Sequence, residues 1–322
     1  MAATETDPHN CGRCGHDCEG GACADGQCQP VTIAMGQGEP WGIAVDDTNV
    51  YWTTWGGSTV MKCPVGGCLD GPTTLASDER YAEAVTVAGS TLCWLDSSSL
   101  GSVVTLPVGG GRPTTIAMTT YGAGIAVAGG DVYWSSLGTG PGTTGTILRT
   151  ALGGGATATV ASGLSSPWAI AVAGDSVYWV DAVGTSVGAV LRAPLAGGGV
   201  TTLASGQSST AGIAVDGESV YWMQEGSASS GGAVLSVPVG GGSVTTLVAG
   251  QTSPAAIAVD ASGLYWSTLS VGPASNGVIA ALRSGVVTTL ATGQAGPRVL
   301  ALGASAVFWA DFNRGIILKV AK

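Results

Sequence analysis

A Trp recurs seven times at nearly even intervals: Trp52, Trp94, Trp134, Trp179, Trp222, Trp266 and Trp309, with spacings of 42, 40, 45, 43, 44 and 43 residues. Each sits in the same frame, a short strand of small and β-branched residues, a turn, then an aromatic pair ending in the Trp. A strand-built period of that length predicts blades of a β-propeller, because one sheet cannot bury its faces alone and must stack on its neighbours.

The first copy gives the unit. Gly42–Asp46, Val50–Thr53, Val60–Lys62 and Thr73–Ala76 read as four strands, bounded by Asp, Asn and Gly turns. Blades are expected near 39–78, 81–118, 122–163, 166–205, 210–250, 254–293 and 297–321. The last copy lacks a fourth strand, yet Val31–Met35 nearly repeats Thr114–Met118, the fourth strand of blade two. Strand 31–35 is therefore expected to complete blade seven, a 3+1 closure that leaves no open sheet edge. The expected fold is all-β, a seven-bladed propeller over 30–322 preceded by a Cys-rich segment, 1–29.

Composition restricts function. The net charge is −10, with only 11 basic residues, so phosphates would go unneutralised and a nucleic-acid partner is excluded. No run of 18 apolar residues exists to span a membrane as a helix. No cofactor or metal motif is evident. Triple glycines at 109–111, 153–155, 197–199 and 240–242 mark one recurring hairpin, and no helix follows them to hold a phosphate.

The motifs Tyr51-Trp-Thr-Thr54, Tyr178-Trp-Val-Asp181 and Phe308-Trp-Ala-Asp311 resemble degenerate YWTD tetrapeptides, and the chain is similar to the YWTD and NHL propeller families over residues 30–322. YWTD propellers usually have six blades; seven blades with this strand order also resemble the streptogramin lyases. The resemblance implies fold more than activity. It also implies that Asp96, Asp181 and Asp311, two residues after their Trp anchors, join neighbouring blades by hydrogen bonds.

Cys11, Cys14, Cys18, Cys23 and Cys28 crowd into eighteen residues almost without apolar side chains. Such a segment needs staples, and disulfides are the favoured reading over a zinc site at Cys11, Cys14 and His16. Cys63 and Cys68 flank Pro64–Gly67 and are expected to pair across that hairpin. Cys93 takes the place of the anchor Tyr in blade two and reads as a buried thiol. The odd Cys of the segment is left to pair with Cys93 or with another molecule. The segment resembles those preceding secreted bacterial propellers, implying an exported, extracellular or surface protein. Met1–Pro8 carries neither a basic nor an apolar stretch, so the export signal is expected to lie outside this sequence.

The only histidines, His9 and His16, precede the ring. Streptogramin lyases use propeller histidines, so their activity is not expected here. Gly184-Thr-Ser-Val-Gly188 matches G-x-S-x-G, but between two strands and without a His in the ring it reads as chance.

The repeat permits a subtraction. Of 19 aromatic residues, the anchors take seven Trp, five Tyr and Phe308, leaving Trp41, Trp55, Tyr81, Tyr121, Trp168 and Phe312. All six lie in connections that emerge on one face of the disc. The position eleven residues before each anchor reads Trp41, Glu83, Ala123, Trp168, Ala211, Ala255 and Arg298, and is expected to ring the channel mouth. Aromatics beside charges on loops over a rigid scaffold suit recognition of a carbohydrate or protein ligand without turnover. The competing structural reading packs Trp41 and Trp168 inward between blades. The functional alternatives are a polysaccharide lyase or hydrolase using Glu83, Asp96, Arg298 or Asp311, and a structural surface or fibre subunit. The N-terminal segment enters from the opposite face, so a tether there would present the aromatic face outward.

Overall fold

A computed structural model describes residues 4–13, 15–68, 70–138, 145–181, 188–207, 210–226, 231–269 and 276–322. Seven four-stranded antiparallel sheets form the ring. Blade one comprises Pro40–Val45, Asn49–Thr54, Thr59–Pro64 and Thr73–Ser77. The inner strands of blades two to seven are Ala82–Ala88, Gly122–Ala128, Pro167–Ala173, Thr210–Val215, Pro254–Asp260 and Pro297–Leu302. Each inner strand packs on the next, and blade seven packs back on blade one.

Ring closure is as the strand count requires. Val31–Ala34 pairs with Ile316–Ala321, placing Val31 opposite Lys319 and Thr32 opposite Leu318. The strand stops one residue short of the expected 31–35. Met35 turns out to solvent, and the Gln37 N–H donates to the Gly315 carbonyl, steering the chain toward blade one.

The seven anchor Trp side chains are fully buried and form the inter-blade core with Val, Leu and Ile from both neighbours. A buried indole N–H needs an acceptor. The residue fifteen positions earlier supplies it in six blades: Gln37, Glu79, Thr119, Gln207, Gln251 and Gln294. In blade four that residue is Leu164, and the Trp179 Nε1 has no partner among the described residues.

The N-terminal segment is stapled by Cys11–Cys23 and Cys18–Cys28 around a two-stranded sheet, Cys23–Ala24 with Gln27–Cys28. Cys11, Cys18 and Cys28 lie close together, but sulfurs committed to disulfides offer no thiolate to a metal. Cys14 lies outside the described residues. The four bonded Cys pack against Tyr265, Trp309 and Leu318, so the segment docks on blades six and seven. A His16 ring nitrogen meets the Lys322 carbonyl at 2.9 Å, which fixes the segment beside the chain's end. Cys63 and Cys68 are bonded, and Cys93 is a buried free thiol whose pKa is pushed up to about 12 by burial alone.

Candidate ligand-binding face

The disc has two unlike faces. Connections between second and third strands, and between blades, emerge on what we call the loop face. The hairpins between first and second and between third and fourth strands form the turn face, where the N-terminal segment docks.

A β-bulge re-aims one side chain toward the loop face in every blade. In blade one Pro40 pairs with Thr54 and Ile43 with Trp52, so Trp41 and Gly42 together oppose Thr53 alone. The same shift falls at Ala82/Val85, Gly122/Ile125, Pro167/Ile170, Ala211/Ile213, Pro254/Ile257 and Pro297/Val299. Trp41, Glu83, Trp168 and Arg298 all occupy this bulge.

A second-strand hydroxyl pins the bulges in blades one and three to those of the next blade. Thr53 Oγ1 accepts from the Gly42 N–H and donates to the Glu83 carbonyl of the next blade at 2.8 Å. Ser135 Oγ does the same between the Gly124 N–H and the Trp168 carbonyl, at 2.7 Å. Gly42 is required by this close approach, since a Cβ there would meet the Glu83 oxygen at 2.0 Å. The backbones beneath Glu83 and Trp168 are thus fixed by the preceding blade.

Three of the six surplus aromatics converge. The Trp41 ring lies 6.0 Å from Trp55 and 5.4 Å, edge-on, from Phe312. The Arg298 guanidinium covers both Trp41, at 5.2 Å, and Phe312, at 4.7 Å. Trp55 and Phe312 are equivalent in the repeat: the Trp55 N–H donates to Glu39 O and the Phe312 N–H to Gly296 O, closing the same loop in blades one and seven. Trp41 is half-buried in this cluster, while Arg298 keeps an exposed head that makes no ion pair among the described residues.

Trp168 stands apart. It is 49% exposed and lines a cleft of about 270 Å³ over the channel with Ile43, Val85, Ile125, Ile170 and Leu300. The inward-packing reading therefore applies to Trp41 in part and to Trp168 not at all. Tyr81 and Tyr121 are exposed and touch no other ring among the described residues. Both have left-handed backbones, with φ of 59° and 46°, unusual for bulky residues.

The acidic groups separate into two kinds. Asp181 and Asp311 are buried and accept from linker N–H groups of Ser165, Ser166 and Ala295, tying each blade to the preceding connection. Among the described residues Asp96 accepts only from Ser98 within its own blade, and no blade-joining bond like those of Asp181 and Asp311 is seen there. Burial raises the Glu83 carboxyl above the ordinary glutamate value of 4.5, and the Asp96 charge pushes the same way. Glu79 is raised for the same first reason, although Trp94 donates to it. Glu83 and Arg298 form no ion pair with each other, and among the described residues no three carboxylates converge as an ion site would require. The G-x-S-x-G match at 184–188 falls almost wholly outside the described residues.

No protein-family model matches the chain, and no curated protein matches it by sequence. Solved structures do. A catalytically inactive virginiamycin B lyase from Staphylococcus aureus, crystallised with quinupristin, aligns over 91% of this chain and 98% of its own, with a TM-score of 0.71 and 16% identity. U3-55K aligns over 91% and 98%, at TM-score 0.69 and 11% identity. A gluconolactonase from Xanthomonas campestris aligns over 91% and 89%, at 0.57 and 13%. At these identities the likeness is one of fold.

The indole-acceptor column was legible but missed: Gln37, Gln207, Gln251 and Gln294 recur fifteen residues before their anchors. Those positions belong to the scaffold, not to the mouth.

Proposed function

We propose that the protein is a non-catalytic recognition module, and that its loop face around Trp41, Trp55, Glu83, Trp168, Arg298 and Phe312 holds a carbohydrate or protein ligand. The observation that carries this reading is the Arg298 guanidinium held over the edge-to-face pair of Trp41 and Phe312, with no ion pair from its side chain among the described residues. A guanidinium already stacked loses little freedom on binding and offers a planar fork to an acidic group. The ligand would therefore carry a carboxylate beside a ring or apolar surface that lies on Trp168. Tyr81 and Tyr121 would extend the surface over blades two and three. Lodging in an oxidising, extracellular or surface setting is supported by three disulfides among the described residues.

A glycan array and an affinity capture with the whole chain test the reading. Binding should fall at least about tenfold in Trp168→Ala and in Arg298→Ala, as for central anchors of an interface. Equal binding by both variants and wild type would refute it.

One observation favours a catalytic alternative: Glu83 is a desolvated carboxyl at the mouth, the environment of a general acid. It would need a partner group. Asp311 is fully buried and occupied by backbone N–H groups, and both histidines lie in the N-terminal segment. Turnover of a uronate polymer that vanishes in Glu83→Gln would select the alternative.

A further inference from the structure

The third strand carries a basic residue opposite the anchor aromatic in four blades: Lys62 opposite Tyr51, Arg149 opposite Tyr133, Arg192 opposite Tyr178 and Lys319 opposite Phe308. Three of these cations are spent. Lys62 Nζ donates to the Val108 carbonyl at 2.9 Å, and Arg192 Nη1 to the Val239 carbonyl at 2.8 Å. Each of those carbonyls belongs to the last hairpin of the next blade, so the bond latches neighbours together. Arg149 pairs with Asp131 at 2.7 Å.

Lys319 is the exception. The residue equivalent to Val108 and Val239 in blade one is Val65, yet among the described residues Lys319 has no hydrogen bond or ion pair with it or with any other group. Only 6% of Lys319 is exposed. Blade one's hairpin is the one closed by Cys63–Cys68, and its Cys68 N–H donates to Ile33 in the closing strand. Where the latch would lie there is a cleft of about 250 Å³ on the turn face, lined by Lys319, Phe308, Val65, Asp46, Asp47 and Glu19. Four stretches of chain meet there: the inner hairpins of blades seven and one, the stapled hairpin, and the N-terminal segment.

Lys319 Nζ keeps a solvent-accessible edge on an otherwise enclosed side chain, so an incoming carboxylate entering the cleft can reach it. The rim narrows the class of ligand. Asp46 is saturated, its oxygens taken by Thr48, Asn49 and Tyr51. Asp47 is exposed, Glu19 half-buried, and neither carboxylate has a partner among the described residues. Carboxylates on this side repel a polyanion and attract a positive group. We propose that this cleft at the ring closure is a second binding site, for a small zwitterion of the amino-acid class. Its carboxylate sits on Lys319 Nζ and its ammonium faces Asp47 and Glu19. The site is independent of the loop face.

Calorimetric titration of the full chain with L-alanine, L-glutamate and L-lysine, and with acetate and methylamine as single-charge controls, tests the assignment. At least one amino acid should bind below about 10 mM, and acetate and methylamine at least about tenfold more weakly. Lys319→Met keeps the alkyl stem and should abolish binding. Asp47→Asn, at an exposed position that leaves folding intact, should weaken it about tenfold. No heat from any amino acid, equal binding by Asp47→Asn, or acetate binding as tightly as the amino acids would each overturn the proposal.

Discussion

The carboxylates of the two faces are shifted in opposite directions. On the turn face Asp46, Asp216 and Asp260 sit below the usual aspartate value of 3.8, because although burial opposes it, hydroxyl, backbone or ammonium donors hold each one. Tyr51 and Tyr221 give their hydroxyl protons to Asp46 and Asp216, and Lys322 reaches Asp260. On the loop face Glu79 and Glu83 are raised, because burial strips solvent without supplying enough donors. Asp46, Asp216 and Asp260 are held by donors of their own hairpins or of the chain's end, whereas Glu79 and Glu83 are buried with fewer donors. The aromatics divide along a similar line. Anchor Trp side chains are buried in every blade, whereas Trp55, Tyr81, Tyr121 and Trp168 are each more than two-fifths exposed.

The strongest way to break this contrast is to truncate one Trp of each kind. Trp222→Ala should cost about 3–5 kcal/mol of stability through a core cavity. Trp168→Ala should stay within about 0.5 kcal/mol, as surface changes do. Denaturant melts of the two decide it, and comparable losses would make Trp168 a packing residue.

An intermediate effect is expected at the indole acceptors. Gln294→Leu leaves the buried Trp309 N–H without its 3.1 Å partner and should cost about 1–2 kcal/mol. Blade four already carries Leu at the equivalent place, so a silent Gln294→Leu would mean that the acceptor column contributes nothing.

A smaller effect separates the faces by pH. A raised folded-state carboxyl binds its proton more tightly than in the unfolded chain. Glu79 and Glu83 therefore favour folding at acid pH, and that contribution fades as pH climbs from the ordinary glutamate value, 4.5, through the raised one. Asp46 and Asp216 act oppositely: their contribution is present above 3.8 and is lost as pH falls through their lowered values. Glu83→Gln should flatten the first slope, Asp46→Asn the second, in melting temperatures taken across pH 3–7. Slopes changed alike by both variants would erase the distinction.

The finest test concerns positioning. Ser135→Ala removes the hydroxyl beneath the Trp168 carbonyl and should weaken loop-face binding a few-fold while leaving the fold intact. Trp fluorescence would report a displaced indole even before a ligand is in hand.

The repeat made the architecture legible because one spacing is imposed seven times, and each blade must bury its sides against two others. Blade number, the closing strand and the column of bulge residues followed from alignment of the copies. The hairpin disulfide followed from its short span. The ring contacts did not: Trp41 and Phe312 are near opposite ends of the chain and meet only because blade seven closes on blade one. The docking of the N-terminal segment was equally silent, since its Cys side chains have too few apolar neighbours in sequence and find them in Trp309 and Leu318.

By itself, then, the sequence determined which residues are scaffold, because scaffold residues recur with the period and the unpaired ones stand out by breaking it. Tertiary structure alone decided which exceptions share a neighbourhood. Arg298 became a stacked donor, and Lys319 a nearly enclosed side chain without a hydrogen bond or ion pair among the described residues, only when the two ends of the chain were brought into one blade. Local patterns encode strands and turns, but contacts across a ring closure depend on loops, register and packing that no short stretch contains.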